Sequence, residues 1–215
     1  MYPLTTKQFN IFPEPQNPTY KFQYTFVCMK YLVFGLGNIG PEYAHTRHNA
    51  GFLVVDKMAA DAEVKWESAR YAWRADVKHR GRNYILLKPT TFMNLSGNAV
   101  RYWMKKEKVP VEKTLTVVDD IALPLGTLRM KKQGGAGGHN GLESIIEQIG
   151  TNTFPRLRIG IGDEFNRGYQ VDWVLGEWTG PEIEILTPKL ETAVKMIQSF
   201  GTIGIDRTMN FFNNS

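Results

Sequence analysis

The chain has 215 residues, 42% hydrophobic and 22% charged, enough to bury one core of ordinary size but a tight fit for two full domains. Its single cysteine excludes an internal disulfide framework, and no apolar run approaches the roughly 18 residues of a membrane span. A net charge of +5, from 26 Lys and Arg against 21 Asp and Glu, is compatible with a nucleic-acid or phosphate partner without requiring one.

Residues 1–28 carry Pro3, Pro13, Pro15 and Pro18, show no helical or strand period, and lack the apolar region of a secretory signal. Met29 then precedes a clear strand. The domain is therefore expected over 29–215 with Met29 as its natural start, and 1–28, Cys28 included, as an extension outside it. Residues 31–35 read as a short buried strand, and 49–62 as a helix with Phe52, Val55, Met58 and Ala59 at helical spacing. Strands at 72–78 and 84–88 flank a hairpin turn at 79–83. A helix is expected over 94–106, capped by Asn94 or Ser96. A strand at 115–118 runs into Asp119-Asp120, and another covers 126–132. A helix at 142–149 stops at Gly150, a strand covers 157–161, and an amphipathic helix covers 186–200. The alternation implies an α/β fold with a mixed sheet flanked by helices, whose functional loops sit at the carboxyl ends of the strands.

Charge is unevenly spread. Over 126–160, Arg129, Lys131, Lys132, Arg156 and Arg158 outnumber Glu143 and Glu147, while over 163–177, Asp163, Glu164, Asp172 and Glu177 outnumber Arg167. A basic face and an acidic one are expected.

Gly35-Leu36-Gly37-Asn38-Ile39-Gly40 fits G-x-G-x-x-G directly after a strand, the pattern of a dinucleotide loop. Pro41-Glu42-Tyr43 follows, however, where a helix should open on a pyrophosphate, and the nearest candidate acid, Asp56, falls inside the next helix. The glycines are read instead as shaping a tight turn that exposes Asn38. A dinucleotide-dependent enzyme stays as a rival that an NAD or NADP titration would separate. His45 and His48 invite a metal, but His79 sits in a turn and Cys28 outside the domain, leaving only His139 and no close acidic cluster.

Asn94, Asp119-Asp120 and His139-Asn140 each follow a strand and precede a helix or turn. Singly, each is an ordinary cap or turn residue; together, beside His48, they read as a site. The chain lacks a G-x-S-x-G elbow, a Walker A sequence and C-x-x-C, so no nucleophile is evident. An imidazole, a carboxylate and several carboxamides suit water activation: the imidazole takes the proton, the carboxylate orients it, and carboxamides hold the oxyanion and the water.

The stretches FGLGNIGPEYAHTRHNAGF (34–52), KPTTFMNLSG (88–97), VVDDIALPLG (117–126), GGAGGHNGLESI (134–145) and FPRLRIGIG (154–162) closely resemble the bacterial-type peptidyl-tRNA hydrolase family, over essentially all of 29–215. The resemblance implies one compact α/β domain, a mixed twisted sheet flanked by helices on both faces, with a C-terminal helix over the cleft. It implies hydrolysis of the ester between a peptide and tRNA, freeing tRNA from stalled translation, by a cytoplasmic monomer that needs no metal or cofactor and contacts no membrane. By the same resemblance His48 is the catalytic base and Asp119 its carboxylate partner. Asn38, Asn94 and Asn140 bind the peptidyl-tRNA end and position the water, and Tyr43, Met93 and His139 line the channel or touch substrate. Lys131 and Arg158 correspond to the basic positions that hold the tRNA 5′-phosphate. The chain departs from the family at Ala122, where an acid is common, at Asp163-Glu164-Phe165, where a basic residue and proline are frequent, and in residues 1–28. The alternative is a non-catalytic RNA-binding relative of the same fold; the intact set of His48, Asp119 and the three asparagines argues against it.

Overall fold

The first strand, β1 (Met29–Gly35), is buried on both faces over its last five residues, which is why its sequence is a continuous apolar run. The computed structural model describes residues 29–213, and the expectations for 1–28 and Cys28 lie outside them. After β1 come α1 (Ala50–Asp61), β2 (Glu67–Ala69), β3 (Ala72–His79), β4 (Arg82–Pro89) and α2 (Ser96–Glu107). They are followed by β5 (Thr114–Asp120), β6 (Leu128–Lys131), α3 (Asn140–Ile149), β7 (Arg156–Gly160), α4 (Gln170–Leu175), α5 (Gly180–Ile203) and α6 (Ile205–Phe212).

The strands form one seven-stranded mixed sheet in the order β2-β3-β4-β1-β5-β7-β6. The central four, β4, β1, β5 and β7, are parallel, while the pairs β2–β3, β3–β4 and β6–β7 toward the edges are antiparallel. Alternate residues of β1 serve opposite cores, as strand geometry requires. Val33 packs with Val55, Met58, Ile197 and Phe200 of α1 and α5, and Leu32 and Phe34 pack with Trp103, Leu142 and Ile145 of α2 and α3. The expected α/β domain with helices on both faces is what forms.

Several details differ from the sequence reading. No side chain caps α2: a single 3-10 turn, Met93–Leu95, leads into it, and Ser96 spends its hydroxyl on the Met93 carbonyl. Asn94 is thereby left free of a capping role. Helix α5 starts at Gly180, six residues before the expected start, behind a Thr179/Glu182 capping box. Ile183 and Ile185 in its first turns are exposed, so they do not mark a buried face. The last helix, α6, lies along β6, where Asn213 hydrogen-bonds both the N–H and the carbonyl of Met130. The helix that lines the cleft from above is α4. Among the described residues no helix is long and apolar enough to cross a membrane.

One glycine brings the fold and the site together. A Cβ on Gly51 would lie 2.4 Å from the Leu36 nitrogen and 2.5 Å from the Val117 carbonyl oxygen. Only glycine lets the start of α1 enter between the ends of β1 and β5, and the residues just before it, His48 and Asn49, are carried there.

Candidate active site

His48 sits in a single 3-10 turn, Arg47–Asn49, in the connection after β1, and Asp119 is the penultimate residue of β5, so adjacent parallel strands deliver both to the carboxyl edge of the sheet. Both are buried, at 8% and 3% exposure. His48 Nδ1 donates to Asp119 Oδ2 at 2.9 Å, and His139 Nε2 donates to Oδ1 at 3.0 Å. His139 Nδ1 in turn accepts from the backbone N–H groups of Gly141 and Leu142, so the ring is the N-cap of α3. That network assigns the His139 proton to Nε2. It also puts the His48 proton on Nδ1 and leaves the His48 Nε2 lone pair free.

Burial disfavours the charged form of His48, but the Asp119 charge and its hydrogen bond together outweigh it and raise the pKa above the ordinary imidazole value. For Asp119, burial alone would push the pKa up; the flanking His139 and His48 overcome it and hold the carboxyl well below the usual carboxylate range. His48, Asp119 and His139 offer ligand atoms within 4.8 Å of one another, a proximity the sequence did not reveal. Here those atoms satisfy one another by hydrogen bonds, which a metal ion would have to displace.

A cavity of about 420 Å³ opens beside the triad. Of the expected site residues, His48, Asp119, His139, Asn140, Lys131 and Arg158 line it, together with the Gly134–Gly138 run and Gln170, Val171 and Val174 of the α4 segment. Asn38, Tyr43, Met93 and Asn94 lie outside that lining. Asn38 Oδ1 accepts from the Met93 N–H at 2.9 Å, and its backbone is bonded twice to the Asn49 side chain, so it ties the β1 loop to the β4 loop. Met93 is buried, its sulfur against Gly141, and Tyr43 is half-buried with its carbonyl bonded to Thr46. Asn94 and Asn140 are exposed, and their carboxamides make no hydrogen bond among the described residues. Lys131 is exposed, whereas Arg158 is ion-paired with Asp120.

Two arginines in the site escaped the sequence reading. Arg156 is buried, donates to the carbonyls of Gly135 (2.9 Å) and Asn152 (3.1 Å), and stacks 4.1 Å over Phe154. Burial and the neighbouring Arg158 push its pKa down to about 10. It anchors the glycine run that ends at His139. Arg47, next to His48, points the other way and forms a bidentate pair with Glu182 at 2.8–3.1 Å. Its guanidinium lies 4.1 Å over Trp173 and 5.7 Å from Trp178, and its backbone N–H bonds Gly176. The signal for Arg47 was its place beside His48 in the 34–52 stretch; its partner lies 135 residues away.

The Gly35–Gly40 run is not followed by an α-helix but by the 3-10 turn Pro41–Tyr43. A Cβ at Gly35 would lie 2.3 Å from the Gly51 carbonyl oxygen, and one at Gly37 would lie 2.8 Å from the Phe52 ring. These glycines admit α1, not a pyrophosphate. The charge asymmetry also takes shape: Lys131, Arg156 and Arg158 line the cavity beside His48, while Asp163, Glu164 and Asp172 line a separate opening beside Trp173.

The sequence matches the model of the peptidyl-tRNA hydrolase family over residues 32–215. Proteins named peptidyl-tRNA hydrolase from Bacteroides fragilis and Porphyromonas gingivalis are each 54% identical over 185 residues, covering 86% of this chain and 99% and 100% of theirs. A crystal structure of peptidyl-tRNA hydrolase from Acinetobacter baumannii superposes with a TM-score of 0.80 at 33% identity, covering 85% of this chain and 94% of that one.

Proposed function

This chain belongs to the peptidyl-tRNA hydrolase family, and we propose that His48 is the general base with which it hydrolyses the ester joining a peptide to tRNA. The activity is that of a carboxylic ester hydrolase: water is consumed, and a peptide carboxylate and free tRNA leave. The observation that carries the assignment is the 2.9 Å bond from His48 Nδ1 to Asp119, which leaves Nε2 as the acceptor for a water proton.

In this reading Nε2 takes a proton as the water oxygen attacks the ester carbonyl. Asp119 stabilises the imidazolium, which then protonates the departing ribose oxygen. Asn94 and Asn140, exposed and unbonded, hold the peptide main chain and the water and donate to the oxyanion. Asn38 acts through Met93 and Asn49 by fixing the loops that present them. Lys131 meets the tRNA phosphate first, since Arg158 is already paired with Asp120. A chain acting on peptidyl-tRNA works where translation occurs, so we place it in the cytoplasm, as a monomer whose base is an imidazole and not a metal-bound hydroxide.

Single-turnover release of an N-acetylated amino acid from tRNA, with a tRNA-binding control, tests the assignment. His48→Ala should bind tRNA and be slowed by roughly 10² to 10⁴. A loss below tenfold overturns the base assignment, and a native chain that binds tRNA but cleaves nothing favours the non-catalytic RNA-binding reading.

A further inference from the structure

At the far edge of the sheet from Lys131, the β2–β3 turn and α2 build a cluster that ester hydrolysis does not use. Ala69 pairs with Ala72, so Arg70-Tyr71 forms the turn between them. Tyr71 has φ 64°, a left-handed conformation that glycine or asparagine adopts at lower cost, and the residue is 38% exposed. The turn is pinned from below: the Thr90 N–H donates to the Tyr71 carbonyl at 3.0 Å, and Trp103 Nε1 donates to the Arg70 carbonyl at 3.1 Å. These bonds hold the Tyr71 backbone, and with it the base of its side chain, in that conformation.

That side chain belongs to a basic and aromatic surface. The Arg70 guanidinium lies 5.1 Å from the Tyr71 ring and 5.3 Å from Tyr102. Tyr71 and Tyr102 meet edge to face at 5.4 Å, and Lys106 lies over Tyr102 and Trp103 at 5.7 and 4.4 Å. Arg101 and Lys105 add exposed charge on α2. Among the described residues none of Arg70, Arg101, Lys105 and Lys106 joins an ion pair, and the neighbouring acid, Glu107, is already committed to Lys30 and Arg74.

We propose that this surface docks RNA as a base-exposing single strand, at a site separate from the cleft. Unneutralised cations suit a phosphate backbone, and an exposed ring held rigidly beside a guanidinium offers a platform on which a base stacks. A duplex would keep its base faces to itself, so the ring selects for an unpaired strand. In the strand order, β3 stands five places from β6; at about 4.8 Å per strand that is about 24 Å, so Tyr71 and Lys131 make separate contacts.

The test is fluorescence anisotropy with a short labelled oligoadenylate, performed in a Lys131→Ala/Arg158→Ala background so that the cleft's phosphate contacts are absent. Binding should persist there and weaken about tenfold or more with Tyr71→Ala, one lost stacking platform, but not with Tyr71→Phe. Replacing Arg70, Arg101, Lys105 and Lys106 by alanine should abolish it, and partial replacements should cut the salt slope by about 0.7 per lost phosphate contact. Single-turnover hydrolysis by the patch variants, made in the native chain, should be unchanged, so this inference and the hydrolase reading fail separately. No binding in the double-variant background overturns the proposal. So does equal affinity for an RNA duplex or a polyglutamate peptide, either of which would mark an indifferent polyanion surface.

Discussion

His139 holds Asp119 from the side opposite His48: its Nε2 lies 3.0 Å from Oδ1, while His48 Nδ1 lies 2.9 Å from Oδ2. A carboxylate gripped at both oxygens cannot rotate, so the plane in which His48 sits is set by a residue that also begins α3.

Two functions of one ring can be separated by substitution. His139→Ala should lower the single-turnover rate about tenfold, far less than loss of the base itself, and should cost about 1 kcal/mol of stability through the lost N-cap. His139→Asn keeps an acceptor for the cap and should restore most of the stability without restoring the rate. Urea unfolding beside single-turnover kinetics reads both; equal recovery of rate and stability would argue that His139 matters only as a cap.

The pH dependence follows from the same pair. His48 serves as base only when neutral, so kcat/KM falls as pH drops through its pKa. Burial depresses that pKa, and Asp119 more than offsets the depression, leaving it above the ordinary imidazole value. Asp119→Asn leaves burial unopposed: the acid limb should move to lower pH, below about 6.5. The maximal rate should fall, by up to about 10⁴ as the tautomer is lost. A pH–rate profile of the variant whose acid limb stays in place or moves upward would contradict the pairing.

The Arg47–Glu182 pair joins the turn bearing His48 to the start of α5, with Trp173 of α4 stacked against it. The side chains are only 7% and 13% exposed. Removing one partner strands a charge, so Glu182→Leu should destabilise the fold by about 3 kcal/mol, and the double variant Arg47→Met/Glu182→Leu should be more stable than that single one. Because α4 lines the cavity, the variants that fold should show a raised KM with kcat little changed. Thermal unfolding of the set and a KM–kcat split test this; a fall confined to kcat would show that Arg47 acts on His48 and not on α4.

The elements legible in the sequence are those whose burial writes a pattern. Strands β1, β4 and β5 are apolar runs, and α1, α2 and α3 show helical spacing. Two elements that escaped, β2 and α4, have no such pattern. Strand β2 is three largely exposed residues that exist by pairing with β3, and α4 is six residues with none buried, held through Trp173. The cap expected from Asn94 or Ser96 was a sound local reading that tertiary contacts overrode, since Ser144 Oγ of α3 already accepts from the Gly97 N–H and the Ser96 hydroxyl is spent on the Met93 carbonyl.

By itself the sequence determined the α/β alternation, the loops that carry His48, Asn94, Asp119 and His139, and the family resemblance, because each is a matter of residue type and spacing along the chain. The tertiary structure alone decided which atoms meet. It set the free nitrogen of His48, the sharing of Asp119 by two imidazoles, the pairing of Arg158 with Asp120, and the turn of Arg47 away from the cavity. His48 and Asp119 are 71 residues apart, and Arg47 and Glu182 are 135. Spacing can assign side chains to one edge of a sheet, but the direction of a hydrogen bond depends on how packed elements approach one another, and no local pattern encodes that.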